Sequence, residues 1–366
     1  MFDFIPLNLY APVYYNVLLV IMIMVLLHAM VYDLQDNRSI KFFSSLGTAL
    51  LIILILYMGL RPVSGRYFAD MATYSRGYNL MQKGVHVDIN SDYAFNYLML
   101  FCAQIMPAKY FFLLIEILYI LPCYLFSKKY FRRYWFYAFF MFIGSFSFWT
   151  YGTNGIRNGM ATSLFVLALC YYDKKWLMYF WFVIAFFFHS SVVIPLAAFI
   201  TAGMYKNPKI YLYIWLAAIP LSLAGGSIWQ DLFFNHLGFS DRTSGYMEGQ
   251  EVEGTFSSTG FRWDFLFYSA FGIVAGYYFI FVKKITDAFY IHLFGIYTIA
   301  NAFWVLVITA NYSNRFAYLS WFLMAPVIAY PMFRYKIWKD QYKFFGLILS
   351  AVSYTHLRAH ETREDL

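Results

Sequence analysis

Charge is scarce in this sequence. Asp, Glu, Lys and Arg make up 13% of its 366 residues, against 62% hydrophobic, and the mean hydropathy is +0.57. A soluble globule carries about 25% charged residues, so that class is excluded. Cysteine is nearly absent too. Cys102, Cys123 and Cys170 all fall inside apolar segments, which reads as inert buried thiols and excludes a disulfide framework. No basic residue precedes the first apolar span, 12–32, and no small-residue cleavage site follows it, so it reads as a true span and not a secretory signal. No internal repeat and no soluble domain is visible. The formal net charge of +8 is spread along the chain and not gathered in a patch, which argues against nucleic acid as a partner.

What fills the chain is apolar windows, several longer than the roughly 18 uncharged residues that mark a membrane helix. The expectation is an all-α, polytopic integral membrane bundle of about 11 to 13 hydrophobic helices. Candidate spans cover 12–32, 42–59, 93–106, 110–126, 134–149, 155–172, 176–188, 190–204, 210–224, 263–282, 289–309 and 316–333, with another beginning at 344. They form a single multi-pass domain over 1–351. Short basic loops at 127–133, 173–175, 205–209, 283–288 and 334–343 are separated by pairs of apolar segments, so all five can face the cytoplasm together. The long loops 60–92 and 225–262 then lie outside. Parity requires one segment not to cross. The short 93–106, carrying Asn96 and Gln104, is read as half-inserted or in-plane. The loop 225–262 sets Trp229, Phe233, Phe239, Tyr246 and Phe256 among Asp231, Asp241, Glu248, Glu251 and Glu253, a mixture suited to carbohydrate. Residues 352–366 are expected to be non-native, because VSYTHLRAHET (352–362) resembles a translated sequencing adapter; His356 and His360 are set aside with them.

Arginines on the outer side run against the positive-inside tendency and are therefore informative. Arg157 (in GIRNG) and Arg315 (in NYSNRF) each open an apolar helix amid Asn and Gly. A helix N-terminus carries free N–H groups and partial positive charge, and guanidinium adds a fork matched to phosphate oxygens. Asn158 and Asn314 flank the two arginines. Ordinary anchoring of a snorkelling arginine is the competing reading of either one alone. In the loop 60–92, Arg61 and Arg66 precede Asp70, and a helix over 66–82 would align Arg66, Asp70 and Tyr74 on one face. Asp70 could take a proton from a sugar hydroxyl or form a surface salt bridge. His189, at the outer turn between two short spans, could be base, acid or phosphate ligand. Glu116 is the one acid in mid-span, read as support for an arginine from beneath. His28 and His292 are read as structural, and Gly155 and Gly159 as sites of close helix packing.

Four stretches in order, GLRPVSGRYFADMATY (59–74), GTNGIRNGMATSL (152–164), AFFFHSSVVIPL (185–196) and NRFAYLSWF (314–322), resemble the Wzy-type polysaccharide polymerases, in particular the EpsG-like branch. The resemblance implies a GT-C-like membrane glycosyltransferase. Its positions match Gly59, Arg61, Asp70 and Tyr74, then Arg157, His189 and Arg315. It implies polymerisation of glycan repeat units on undecaprenyl diphosphate at the outer face of the bacterial cytoplasmic (inner) membrane. On that reading Asp70, His189 and Arg157 are catalytic, and Arg61, Arg66, Tyr74, Asn158, Asn314 and Arg315 bind substrate. No cofactor is implied, and no metal is required where guanidinium supplies the positive charge. Membrane lipid, a flippase and a chain-length regulator are the expected partners. A ligase moving glycan to lipid A or protein would use the same parts, and a flippase or exporter is the alternative from another class.

Overall fold

A computed structural model of the chain describes residues 2, 4–87, 89–233, 260–310 and 313–349. Every regular element among them is helical. Among the described residues, seven helical stretches are long and apolar enough to cross a membrane: Leu7–Val31, Asn37–Gly59, Ala108–Ile143, Pro208–Gly226, Trp263–Val282, Ala288–Leu306 and Asn314–Arg334. Four shorter apolar helices, Tyr93–Ile105, Ile156–Cys170, Lys175–Phe188 and Ser190–Met204, accompany them. The chain is thus a polytopic helical membrane protein. It divides into two compact units, one holding the chain up to Val193 with the segment from Met332, the other Ile194–Pro331.

The first unit contains α1 (Tyr10–Val31), α2 (Asn37–Gly59), α3 (Ala69–Gln82), α4 (Tyr93–Ile105), α5 (Ala108–Phe131), α6 (Trp135–Ile143), α7 (Phe146–Thr153), α8 (Ile156–Cys170) and α9 (Lys175–Phe188). Helix α8 is its centre. Every residue of α8 is buried except Arg157 and Asn158, the two polar residues of its first turn. A helix apolar on all sides must be covered on all sides, and here only its polar tip looks out. Small residues let its neighbours come close: a Cβ on Gly159 would lie 2.7 Å from the Tyr151 carbonyl oxygen of α7.

The opposite end of α8 is capped by cations and hydroxyls. Lys129 Nζ donates to the Cys170 carbonyl and pairs with Asp173 at 3.2 Å, while the Tyr130 hydroxyl donates to the Leu169 carbonyl at 2.6 Å. These satisfy carbonyls that the last helical turn leaves without a partner, at the negative end of the helix dipole. Arg133 donates to the Gln35 carbonyl at 2.7 Å, and Gln35 donates to the Tyr342 hydroxyl at 2.8 Å. The loops at 33–36, 127–134 and 171–174 and the segment near 342 therefore meet at one end of this unit.

In the second unit, α10 (Val193–Met204, which begins in the first), α11 (Pro208–Asp231), α12 (Trp263–Tyr277), α13 (Ala288–Leu306), α14 (Asn314–Trp321) and α15 (Met324–Arg334, which ends in the first) follow one another. Its interior holds a polar knot. Trp215 Nε1 donates to Asn301 Oδ1 at 2.7 Å, and Asn301 Nδ2 donates to the hydroxyls of Ser269 and Ser320 at 3.0 and 2.9 Å. Trp321 Nε1 adds a bond to Ser269 Oγ at 2.6 Å. Four helices are thereby registered on one side chain. His292, expected to be structural, meets the Phe199 carbonyl through Nε2 at 2.8 Å; His28 of the first unit meets Ser39 Oγ at 2.9 Å.

Several expected boundaries shift. The span 134–149 is two helices interrupted at Gly144 and Ser145, and the second of them runs past the expected end at 149 to Thr153. The span 316–333 is likewise interrupted, after Trp321. Helix α11 runs past its expected end at 224 to Asp231, with a non-helical Gly225 inside it. Of the aromatic and acidic residues singled out in the loop 225–262, Trp229, Phe233 and Asp231 are described. Phe239, Asp241, Tyr246, Glu248, Glu251, Glu253 and Phe256, like the tail 352–366, lie outside the described residues.

Candidate functional site

The polar tip of α8 faces a cluster built from α3, α4 and the α9–α10 corner, all within the first unit. Asn154 and Gly155 separate α7 from α8, and Asn154 Nδ2 donates to the Tyr67 carbonyl at 3.2 Å, tying this break to the segment before α3. Two residues later, Arg157 Nη1 donates to Asp92 Oδ2 at 2.6 Å. The Asp92 side chain is 1% exposed and the Arg157 side chain 29%, so the pair is anchored inside and open outside. The Arg157 guanidinium also lies over the Tyr74 ring, 5.4 Å from its centroid. Tyr74 is in turn backed by Phe95 of α4, ring to ring at 5.1 Å.

Asp92 is the residue that sequence reasoning missed. It precedes α4 in the N-cap position, yet its side chain makes no capping bond to its own helix and turns to Arg157 instead. Its backbone is left-handed, φ 48°, ψ 48°, a conformation that Asp tolerates better than most residues. In sequence, SDY before an apolar run signals an ordinary helix cap. Only the fold reveals that the carboxylate serves another helix.

Asp70 and Tyr74 sit one turn apart on α3, as expected. Burial pushes the Tyr74 phenol up to about 12; the nearby Arg157 charge opposes that shift and the Asp70 charge adds to it. The phenol is therefore neutral at any physiological pH and can donate or accept a hydrogen bond. The expected helix 66–82 begins only at Ala69, so Arg66 is not on the face of Asp70 and Tyr74. It is exposed and lies over the Tyr67 ring at 5.5 Å, because a Ser64 turn, with the Tyr67 N–H donating to Ser64 Oγ at 3.2 Å, precedes the helix.

Next to Arg157, Asn158 Oδ1 accepts from the Ser191 hydroxyl at 2.5 Å, and Ser191 Oγ lies 2.8 Å from His189 Nδ1. His189 ends α9 in extended backbone and opens the short 190–192 turn. Arg157, Asn158 and His189, read separately in the sequence, thus belong to one continuous cluster.

Arg61, expected to bind substrate, is placed elsewhere. Its side chain is wholly buried, bonded through Nη1 to Glu116 Oε1 at 2.7 Å and through Nη2 to the Gly152 carbonyl at 3.0 Å, with a further bond to the Met58 carbonyl. It supports the site from beneath and offers no surface to a ligand. The support expected of Glu116 thereby gains its partner, and α2, α5 and α7 are joined behind the α7–α8 break. Arg315 and Asn314 lie in the second unit, at the start of α14. Arg315 is exposed, and Asn314 Nδ2 donates to the Tyr318 hydroxyl at 3.2 Å. Among the described residues no three His, Cys, Asp or Glu side chains gather as a metal site.

The first unit thus gathers guanidinium, carboxylate, amide, hydroxyl and imidazole groups around the polar tip of its central, otherwise apolar helix. Over residues 46–363 the sequence matches the EpsG family, and the chain belongs to that family of Wzy-like polysaccharide polymerases. No curated protein matches it, and no solved structure does.

Proposed function

We propose that the protein polymerises glycan repeat units carried on undecaprenyl diphosphate, at the outer face of the bacterial cytoplasmic membrane. The hydroxyl of one repeat unit attacks the anomeric carbon of another. A C–O bond forms there as the bond from that carbon to the diphosphate oxygen breaks, and the hydroxyl proton passes to a base on the protein. The single observation that carries this reading is Arg157. Its guanidinium is fixed by Asp92 and Tyr74, remains 29% exposed, and stands in the first turn of a helix whose N–H groups point the same way. This is the charge that a departing diphosphate needs. Asp70 and His189 are the candidate bases, with Asn158 and Tyr74 contributing polar contacts.

Helix length supports a lipid-borne substrate. The 15 residues of α8 rise about 22 Å, short of the roughly 30 Å hydrocarbon layer. With its Lys129-capped end at the cytoplasmic boundary, α8 stops short of the outer headgroups, and the long Arg157 side chain extends from its tip toward a lipid diphosphate at that level. Arg315, at a helix start in the second unit, offers a second exposed guanidinium.

The test is a reconstitution. Purified protein in lipid nanodiscs, given a synthetic undecaprenyl-diphosphate-linked repeat unit, should yield a ladder of longer lipid-linked glycans. The Arg157→Ala variant should abolish the ladder while remaining folded, and chelation by EDTA should leave it intact. A ladder undiminished in Arg157→Ala would refute the reading. Transfer of single units only to an added lipid A or protein acceptor would identify a ligase, and transbilayer movement without elongation a flippase.

A further inference from the structure

Ser191 stands between a helix tip and an imidazole, and its two contacts determine each other. Asn158 Oδ1 is a carbonyl oxygen and can only accept. At 2.5 Å it takes the one proton that the Ser191 hydroxyl has. The lone pairs of Ser191 Oγ then face His189 Nδ1 at 2.8 Å, a contact that is a hydrogen bond only if Nδ1 carries hydrogen. The backbone N–H of Ser191 also points to Nδ1, at 3.2 Å, and would favour the opposite tautomer. The hydroxyl contact is the shorter of the two, and it is reinforced by a chain of bonds running in one direction, from Nδ1–H to Ser191 O–H to Asn158 Oδ1.

We propose that Ser191, held by Asn158, is a positioning residue that keeps His189 in the Nδ1–H tautomer, so that Nε2 is the atom that accepts the acceptor hydroxyl's proton. This rests on the polymerase reading above and selects His189 over Asp70 as the base. The proton balance closes. Nε2 takes the hydroxyl proton as the new C–O bond forms, and the resulting imidazolium keeps Nδ1–H donating to Ser191, so no hydrogen bond in the chain has to reverse. The electron pair of the broken C–O bond leaves with the diphosphate. The arrangement is that of a base oriented by a second side chain and that one by a third.

The experiment uses the full-length protein in nanodiscs with the synthetic lipid-linked repeat unit, and pairs kinetics with solid-state NMR of 15N-histidine-labelled protein, the His189 signals being assigned by their loss in His189→Gln. The wild type should show a protonated Nδ1 and a bare Nε2 at His189. Ser191→Ala should mix the tautomers and lower kcat by about ten- to a hundredfold with little change in KM. Ser191→Thr, which restores the hydroxyl, should recover most of the rate, and Asn158→Leu should mix the tautomers as Ser191→Ala does. An Nε2–H signal in the wild type, or an unchanged kcat in Ser191→Ala where His189→Gln is inactive, would overturn the proposal while leaving the polymerase reading intact. A folded wild type that elongates nothing would overturn the polymerase reading and with it the role of Nε2, whereas the tautomer is decided by the spectrum alone.

Discussion

Replacing Asp92 by Asn separates two effects that act on Arg157 in opposite directions. On charge alone, removing the carboxylate 2.6 Å from the guanidinium should make Arg157 a stronger anion ligand. On geometry, it should weaken the bond from Nη1 that anchors the side chain in the interior. The burial of the pair decides between them. Breaking a fully buried ion pair costs about 3–5 kcal/mol, and an exposed pair is worth about 0.2–1 kcal/mol. With one partner 1% exposed and the other 29%, the Arg157–Asp92 interaction falls between, at about 2 kcal/mol, or about thirtyfold in the population of the held conformer. Positioning should therefore win, and Asp92→Asn should lower kcat/KM for elongation of the lipid-linked repeat by about that factor. The assay is a double-mutant cycle in nanodiscs, scored by initial rate of ladder formation. Adding Asp92→Asn to Arg157→Ala should cost nothing further, since the residue it positions is gone. Independent, additive losses would refute the coupling, and a gain in rate from Asp92→Asn would show that charge neutralisation and not placement is what Asp92 does.

Three other outcomes follow from the packing. Glu116→Leu alone should leave Arg61 charged and without its carboxylate in a dry interior, costing several kcal/mol and most of the folded protein. The Arg61→Met/Glu116→Leu pair should regain much of that loss in a thermal-stability assay by fluorescence-detected gel filtration. Gly159→Ala sets a methyl against a backbone carbonyl that cannot swing aside, so α7 and α8 must separate. A loss of about 1–3 kcal/mol in the same assay is expected, together with lower elongation activity because Arg157 moves with α8. Asn301→Leu should strand the indole N–H of Trp215 and take one bond each from the hydroxyls of Ser269 and Ser320. That should destabilise the second unit by about 1–3 kcal/mol, read as faster hydrogen exchange in α12 and α13.

Much of this protein was legible in its sequence. Apolar runs of 18 residues or more have few alternatives to a membrane helix, so the helical class and most spans followed directly from composition. Local chemistry also located Arg157 and Asn158, because two polar residues in the first turn of an otherwise apolar helix are conspicuous without any neighbour. Family membership was visible in the ordered motifs from Gly59 to Phe322. The interruptions of the bundle were not legible. Gly144 and Ser145 break a run of aromatics that hydropathy reads as continuous, and Thr153 extends a helix into residues that polarity assigns to a loop.

Tertiary structure alone decided the partnerships, for a physical reason. An ion pair or hydrogen bond depends on a separation of about 3 Å, and sequence distance does not constrain that separation between residues on different helices. Asp92 and Arg157 are 65 positions apart, and Arg61 and Glu116 are 55 apart. Both arginines were expected to face the same substrate. The fold gave one a half-open seat over Tyr74 and closed the other into the interior against Glu116. Two guanidinium groups that look alike in sequence thus differ in what they can touch, because burial belongs to the packed chain and not to the residue.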